Sequence, residues 1–244
     1  MAKKPAAPRP PPSGRPKNHL LRALPEAEFQ RLRPDLKTIS TEAKHVFHRQ
    51  NKVIEFVYFP NGGVASVTAV LSDGTLVETA TVGTEGMVGL EAFFLKDATS
   101  PGETMMQVPD TNAEQLPVGA FRRELDRQGI FSELIGRYAH ASVAQMMQCS
   151  ACNARHHIHE RCARWLLMTH DRVGRDEFDL SHEFLSVMLG VRRQSVTVVA
   201  GTLAKAGLIT YKHGRVKVLD RAGLEAAACE CYAVIRGKFD ALLK

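Results

Sequence analysis

The chain has 244 residues, 44% of them hydrophobic and 24% charged, with a net charge of +6 at pH 7. That is enough apolar side chain for one large or two modest folded domains, and it excludes a fibrous or wholly disordered chain. No apolar run approaches a membrane span, the basic N-terminus has no apolar h-region, and five cysteines fit a reducing compartment, so the expected setting is cytoplasmic with no membrane partner.

Met1 to Lys17 carries +5 and half of the twelve prolines, so residues 1–17 are expected to form a disordered basic tail. Asn18 to Leu36 reads as helix, divided at Pro25. From Lys44 the rhythm turns to strands: His45 to His48, Val53 to Phe59, Val64 to Leu71 and Leu76 to Val82, with turns at Asn61-Gly62-Gly63 and Ser72-Asp73-Gly74-Thr75. The period-2 positions Val57, Phe59 and Val77, Thr79, Thr81 predict sheets with one buried face. Met105 to Val108 is expected as the last strand of a small antiparallel roll bounded roughly by residues 40 and 115. Phe121 to Cys152 reads as nearly unbroken helix. Along it Leu134, Tyr138, Ala141, Gln145, Gln148 and Cys152 recur at alternating spacings of four and three, which fits a seam between two helices of a homodimer. Ile135, Ala139, Ser142, Met146 and Cys149 form a second stripe of equal quality, and either stripe can face the partner. Further helices are expected near His156 to Arg172 and from Arg221 to Leu243.

The most informative stretch is Ser181 to Val218. Ser181 stands as an N-cap before the stripe Phe184, Leu185, Met188, Leu189, Gly190 marks a tight turn, and a second helix from Arg192 carries Val196, Val199, Ala200 and Leu203. Gly207 then caps it, and two alternating runs flank the turn Lys212-His213-Gly214-Arg215. Helix, tight turn, helix, hairpin is the order of a winged helix-turn-helix. From Ser181 to Leu219 six bases face one acid, Glu183, for a net +5 concentrated at the start of the second helix and in the hairpin. The candidate DNA contacts are therefore Ser181, His182, Arg192, Arg193, Gln194, Ser195, Thr197, Lys212, His213 and Arg215. No Gly-rich phosphate loop, nucleophile elbow or His-Glu-x-x-His helix occurs, so an enzyme is not expected.

A roll, a long 4-3 helix and a C-terminal winged helix, in that order over about residues 18 to 232, resemble the Crp/Fnr family of bacterial transcription regulators. The pieces VYFPNGGVASV (57–67) and VGTEGMVGLEAFF (82–94) add to the likeness. The resemblance implies an α+β chain: a cyclic-nucleotide-binding-like antiparallel β-roll at 18–120, a dimerisation helix at 121–153 and a winged helix-turn-helix DNA-binding domain at 154–244. It implies a homodimer on a near-palindromic double-stranded operator, and RNA polymerase as a further partner. Arg193 matches the family's guanine-reading arginine, whereas Gln194 stands where many members have glutamate and Val198 where many have a second arginine.

The same resemblance directs attention to an effector pocket at Gly86, Met87, Gly89, Glu91, Glu103 and Thr104. Pro101-Gly102-Glu103-Thr104 stands where cyclic-nucleotide binders have an Arg-Ser pair. Asn51 to Phe121 has no arginine and a net charge of −7, which would repel a phosphate. An unknown small effector other than cyclic AMP is the expectation, with no cofactor. Cys149-x-x-Cys152 followed by His156, His157 and His159 invites a metal- or redox-sensing alternative. Its loose spacing favours the plain reading, in which the cysteines are small buried packing residues and no metal is held.

Overall fold

The structure, a computed structural model, describes residues 14–110 and 112–243. Most of the basic tail expected at residues 1–17 lies outside them, but Arg15 is described and fastened: its Nη1 donates to the carbonyl of Leu24 at 2.5 Å and its guanidinium lies over the Phe29 ring. Pro25 divides the first helical segment as expected, into α1 (His19–Ala23) and α2 (Glu26–Leu32). The buried Asn18 caps α1 through its Oδ1, while its Nδ2 donates to the carbonyls of Pro60 and Gly86, tying the helix to the roll.

The roll comprises β1 (Lys37–Ser40), β2 (Val46–His48), β3 (Phe56–Pro60), β4 (Val64–Val70), β5 (Leu76–Val82), the short helix α3 (Glu91–Phe94), β6 (Glu103–Val108) and β7 (Asn112–Pro117). Two antiparallel sheets, ordered β1-β7-β3 and β2-β6-β4-β5, enclose Phe47, Tyr58, Ala65, Val82, Met106 and Ala113. Two strands were not expected. β1 is a short, exposed edge, and β7, which follows the supposed last strand and pairs with both β1 and β3, has only two apolar residues suited to a core, Ala113 and Leu116. Its polarity reads as loop because the buried Glu114 is satisfied locally, accepting from Asn61 Nδ2 at 2.8 Å and Thr38 Oγ1 at 2.9 Å. The face pattern also departs from simple alternation. β3 buries Val57, Tyr58 and Phe59 together, and in β5 the buried residues are Ala80, Thr81 and Val82 while Val77 and Thr79 are half-buried.

The expected continuous helix is two, α4 (Val118–Leu125) and α5 (Ile130–Arg155), broken at 126–129 where Gln128 adopts φ 54°. Glu28 of α2 supplies the reason: its carboxylate accepts from the backbone N–H groups of Ile130 and Phe131 at 3.1 and 2.8 Å, capping α5 from outside the helix. A Cβ on Gly129 would stand 2.8 Å from that carboxylate.

The C-terminal half follows as α6 (Ile158–Val173), β8 (Glu177–Asp179), α7 (His182–Leu189), α8 (Arg193–Lys205), β9 (Ile209–Lys212), β10 (Arg215–Val218), α9 (Arg221–Ala227) and α10 (Cys231–Asp240). The expected final helix is thus interrupted at 228–230. A third wing strand, β8, completes a sheet ordered β8-β10-β9. Trp165, Leu166, Leu185, Leu189, Val196, Val199, Val216 and Leu224 form this half's core. α10 folds back along α5, so that Leu242 is buried among Leu20, Leu21 and Leu134.

Candidate nucleic-acid interface and effector cavity

The helix-turn-helix is assembled by local chemistry. Ser181 Oγ accepts from the Phe184 N–H at 3.1 Å, so α7 starts at His182, and Gly190 at φ 62° turns the chain toward α8. Val196, Val199, Ala200 and Leu203 bury one side of α8, which forces Arg193, Gln194, Thr197 and Val198 outward, with Ser195 half-buried. Arg192 is the exposed N-cap, and among the described residues no side chain caps the helix there, which leaves the first N–H groups of α8 open to an anion. At the wing tip Lys212 and His213 are exposed, and the two turn residues His213 and Gly214 both have positive φ, as a two-residue hairpin requires.

Two sequence candidates are engaged within the protein. His182 stacks on Tyr211 with ring centroids 4.3 Å apart, its Nδ1 lies 3.2 Å from Thr197 Oγ1, and its Nε2 is buried. Burial, and after it the Arg193 charge, hold its pKa below the ordinary histidine value, so a neutral ring braces α7, α8 and the wing against one another. Arg215 is tied to Asp179 at 2.9 Å and Glu177 at 3.5 Å, both on β8, a strand the sequence pattern does not announce. Val198 was not singled out as a contact, yet it is 64% exposed beside Gln194 and Thr197, with Thr202 exposed one turn on. The available signal was its place on the polar side of the helix, four residues after Gln194.

A cavity of about 210 Å³ lies between the roll and α5. Met87, Gly89, Glu91 and Thr104 line it together with Tyr138, Ser142, Gln145 and Met146. The other two pocket candidates do not. A Cβ on Gly86 would stand 2.3 Å from the Tyr138 ring, so this glycine seats the tyrosine, whose hydroxyl donates to the Met87 carbonyl at 3.0 Å. Glu103 pairs with Arg49 at 3.5 Å. Among the described residues no lysine or arginine lines the cavity, and burial pushes the carboxyl of Glu91, its charged residue, above the ordinary value.

Most of both α5 stripes is buried within the chain: Leu134, Tyr138, Ala141, Gln145 and Cys152 of the first, and Ile135, Ala139, Ser142 and Cys149 of the second, while Gln148 is half-buried and Met146 exposed. The exposed side of α5 instead carries His140, Val143 and Met147, with Val143 43% and Met147 70% exposed. Their spacing of three and four is the same helical period displaced around the helix, and it leaves these apolar side chains uncovered by the described residues. The Cys149/Cys152 pair is likewise split: Cys149 turns to Arg164, 3.5 Å from Nη1, and Cys152 faces Cys229. His157 serves as the N-cap of α6 and His159 is exposed.

Residues 160–227 match the family model of the Crp-like helix-turn-helix domain. No curated protein sequence matches the chain. Among solved structures, a Crp/Fnr-family transcriptional regulator of Eubacterium rectale superposes with a TM-score of 0.67 at 17% identity, covering 86% of this chain and 97% of that one. A CRP-family regulator of Thermus thermophilus gives 0.62 at 24% identity over 79% and 96% of the two chains. FixK2 of Bradyrhizobium japonicum gives 0.67 at 16% identity over 80% and 98%. At these identities the superpositions speak for the fold, while the matched segment speaks for the module that α7, α8 and the wing build. Residues 160–227 thus match a Crp-like helix-turn-helix domain, and the roll, long helix and C-terminal domain share the fold of these solved Crp/Fnr-family regulators.

Proposed function

We propose that the protein works in the cytoplasm as a homodimer that reads a near-palindromic operator, with α8 of each copy in the major groove and each wing on the phosphate wall. The observation that carries this is the outward face of α8. Arg193 and Gln194 in its first turn are exposed and make no ion pair among the described residues, and Lys212 stands free at the wing tip. Arginine matches guanine O6 and N7, glutamine matches adenine N6 and N7, and the methyls of Val198 suit a thymine methyl. Two copies joined along the Val143–Met147 side of α5 would present two such helices to successive groove faces. RNA polymerase is the further partner this reading calls for. The cavity wall favours an uncharged or weakly polar small effector over a cyclic nucleotide, because a buried phosphate would meet Glu91 and no cation.

Binding to random duplex DNA across a salt series, for wild type and Arg193→Ala and with and without cyclic AMP, tests the proposal. Wild type should lose affinity steeply with salt. On sequences selected from a random pool, Arg193→Ala should lose about 1–3 kcal/mol of discrimination at one symmetric pair of positions. Cyclic AMP should change neither result. Salt-insensitive binding, or unchanged preference in Arg193→Ala, would overturn the placement of α8.

A further inference from the structure

Cys152, His156, Cys229 and Cys231 converge at one point, their ligand atoms all within 4.8 Å of one another. Cys152 lies in the last turn of α5, and His156 is the C-cap of that helix, its backbone N–H donating to the Cys152 carbonyl. Cys229 lies in the turn between α9 and α10, and Cys231 is the first residue of α10. Spacing along the chain groups Cys152 with Cys149; folding brings it two cysteines from more than seventy residues away instead.

We propose that these four side chains form a Cys₃His site for a thiophilic, tetrahedral divalent cation, zinc by its ligand chemistry. Four ligands at the bond lengths of zinc to sulfur and nitrogen stand about 3.3–3.8 Å apart at the corners of a tetrahedron. Cys152 Sγ and Cys229 Sγ are 3.5 Å apart, and Cys231 Sγ and His156 Nδ1 are also 3.5 Å apart.

The surroundings are those of a ligand set rather than of thiols packed as small apolar groups. His156 turns Nδ1 toward the sulfurs and its Nε2 toward Glu230 Oε2, 3.2 Å away. That is the carboxylate–histidine arrangement which fixes an imidazole for a metal. Gln148 Nε2 donates to Cys231 Sγ at 3.0 Å. Three thiolates and an imidazole around a dication leave one net negative charge, and cationic side chains stand behind it. Arg164 is buried, its hydrogen-bond acceptors are the sulfurs of Cys149 and Met168, and its Nε has no partner among the described residues. Arg161 has a buried Nε in the same state. Binding would release the thiol protons and bond three sulfurs and one nitrogen to the ion, with no change of oxidation state. It would join the end of α5 to the start of α10, at the junction where the long helix hands over to the DNA-binding domain.

The test uses the full chain, purified under reducing conditions without chelator. About one zinc per chain is expected to survive gel filtration. Reduced apoprotein titrated with cobalt(II) should develop the ligand-field and thiolate charge-transfer bands of tetrahedral sulfur coordination, lost again on adding zinc. Cys229→Ser together with Cys231→Ser should abolish both signals, whereas Cys149→Ser and Cys162→Ser should keep them. Should the double variant fail to fold, the cobalt titration of wild type decides alone. Absence of tetrahedral bands in the reduced wild-type chain, a double variant that folds and still binds, or a Cys152–Cys229 disulfide found with no metal uptake after reduction would each overturn the assignment.

Discussion

Glu78→Gln tests the contact by which β5 holds the DNA-binding half. Glu78 Oε1 accepts from Trp165 Nε1 of α6 at 2.8 Å, and Oε2 accepts from Ser66 Oγ at 2.6 Å. Enclosure of the carboxyl outweighs both hydrogen bonds and the nearby Arg164 and Arg172, pushing its pKa from 4.5 up to about 7. The sign follows from proton counting. Below pH 4.5 the folded and unfolded chains both hold the proton; between 4.5 and about 7 only the folded chain holds it, so stability falls as pH rises through this window and is level above it. Each pH unit between the two titrations is worth about 1.4 kcal/mol, which makes the whole loss at most about 3.5 kcal/mol. Glutamine keeps an acceptor for Trp165 and a donor for Ser66 but does not titrate. Urea unfolding of wild type and variant should therefore give similar stabilities near pH 4.5 and a growing advantage for Glu78→Gln toward pH 8. Parallel pH profiles for the two proteins would refute the reasoning, because the carboxyl would then titrate alike in both states.

The exposed side of α5 makes a second expectation: Val143→Asp with Met147→Asp should sediment as a folded monomer, whereas Tyr138→Ala, which empties a buried site, should lose about 3–5 kcal/mol of stability. A dimer that survives the double aspartate would move the seam elsewhere. At the wing, Lys212→Ala should reduce the salt slope of DNA binding by about one counterion. Arg215→Ala should reduce it by less, since Asp179 and Glu177 already hold that guanidinium; equal slopes would show that DNA detaches Arg215 from both.

The helix-turn-helix was legible because its signals are local: a serine cap, a glycine at the turn, an apolar period and a two-residue hairpin are all written within about forty residues. What escaped depends on distant partners. β7 is polar in sequence because Asn61 and Thr38 satisfy Glu114. The break before α5 is made by Glu28, about a hundred residues earlier in the chain. The 4-3 period of α5 is present, but a period names no neighbour: most of both stripes is buried within the chain, while Val143, Met146 and Met147 are left outside. Arg215 counted as a free cation only as long as β8 was unseen. The cysteine cluster was illegible for the same reason, since two of its members lie beyond the winged helix.

The return of α10 to the first core has a thermodynamic meaning. Leu242 is buried with Leu20 and Leu21, and the Phe239 and Tyr138 rings are 6.3 Å apart, so the final helix contributes to the cohesion of the half that the chain builds first. A bundle of separate modules would melt piecemeal. Here neither half can dissolve without stripping apolar contacts from the other, which makes the roll and the helix-turn-helix one cooperative unit. Calorimetry should then record a single endotherm whose van't Hoff and calorimetric enthalpies agree for the unit as a whole. Two resolved endotherms would mean that α10 lies on the first core without binding the halves together.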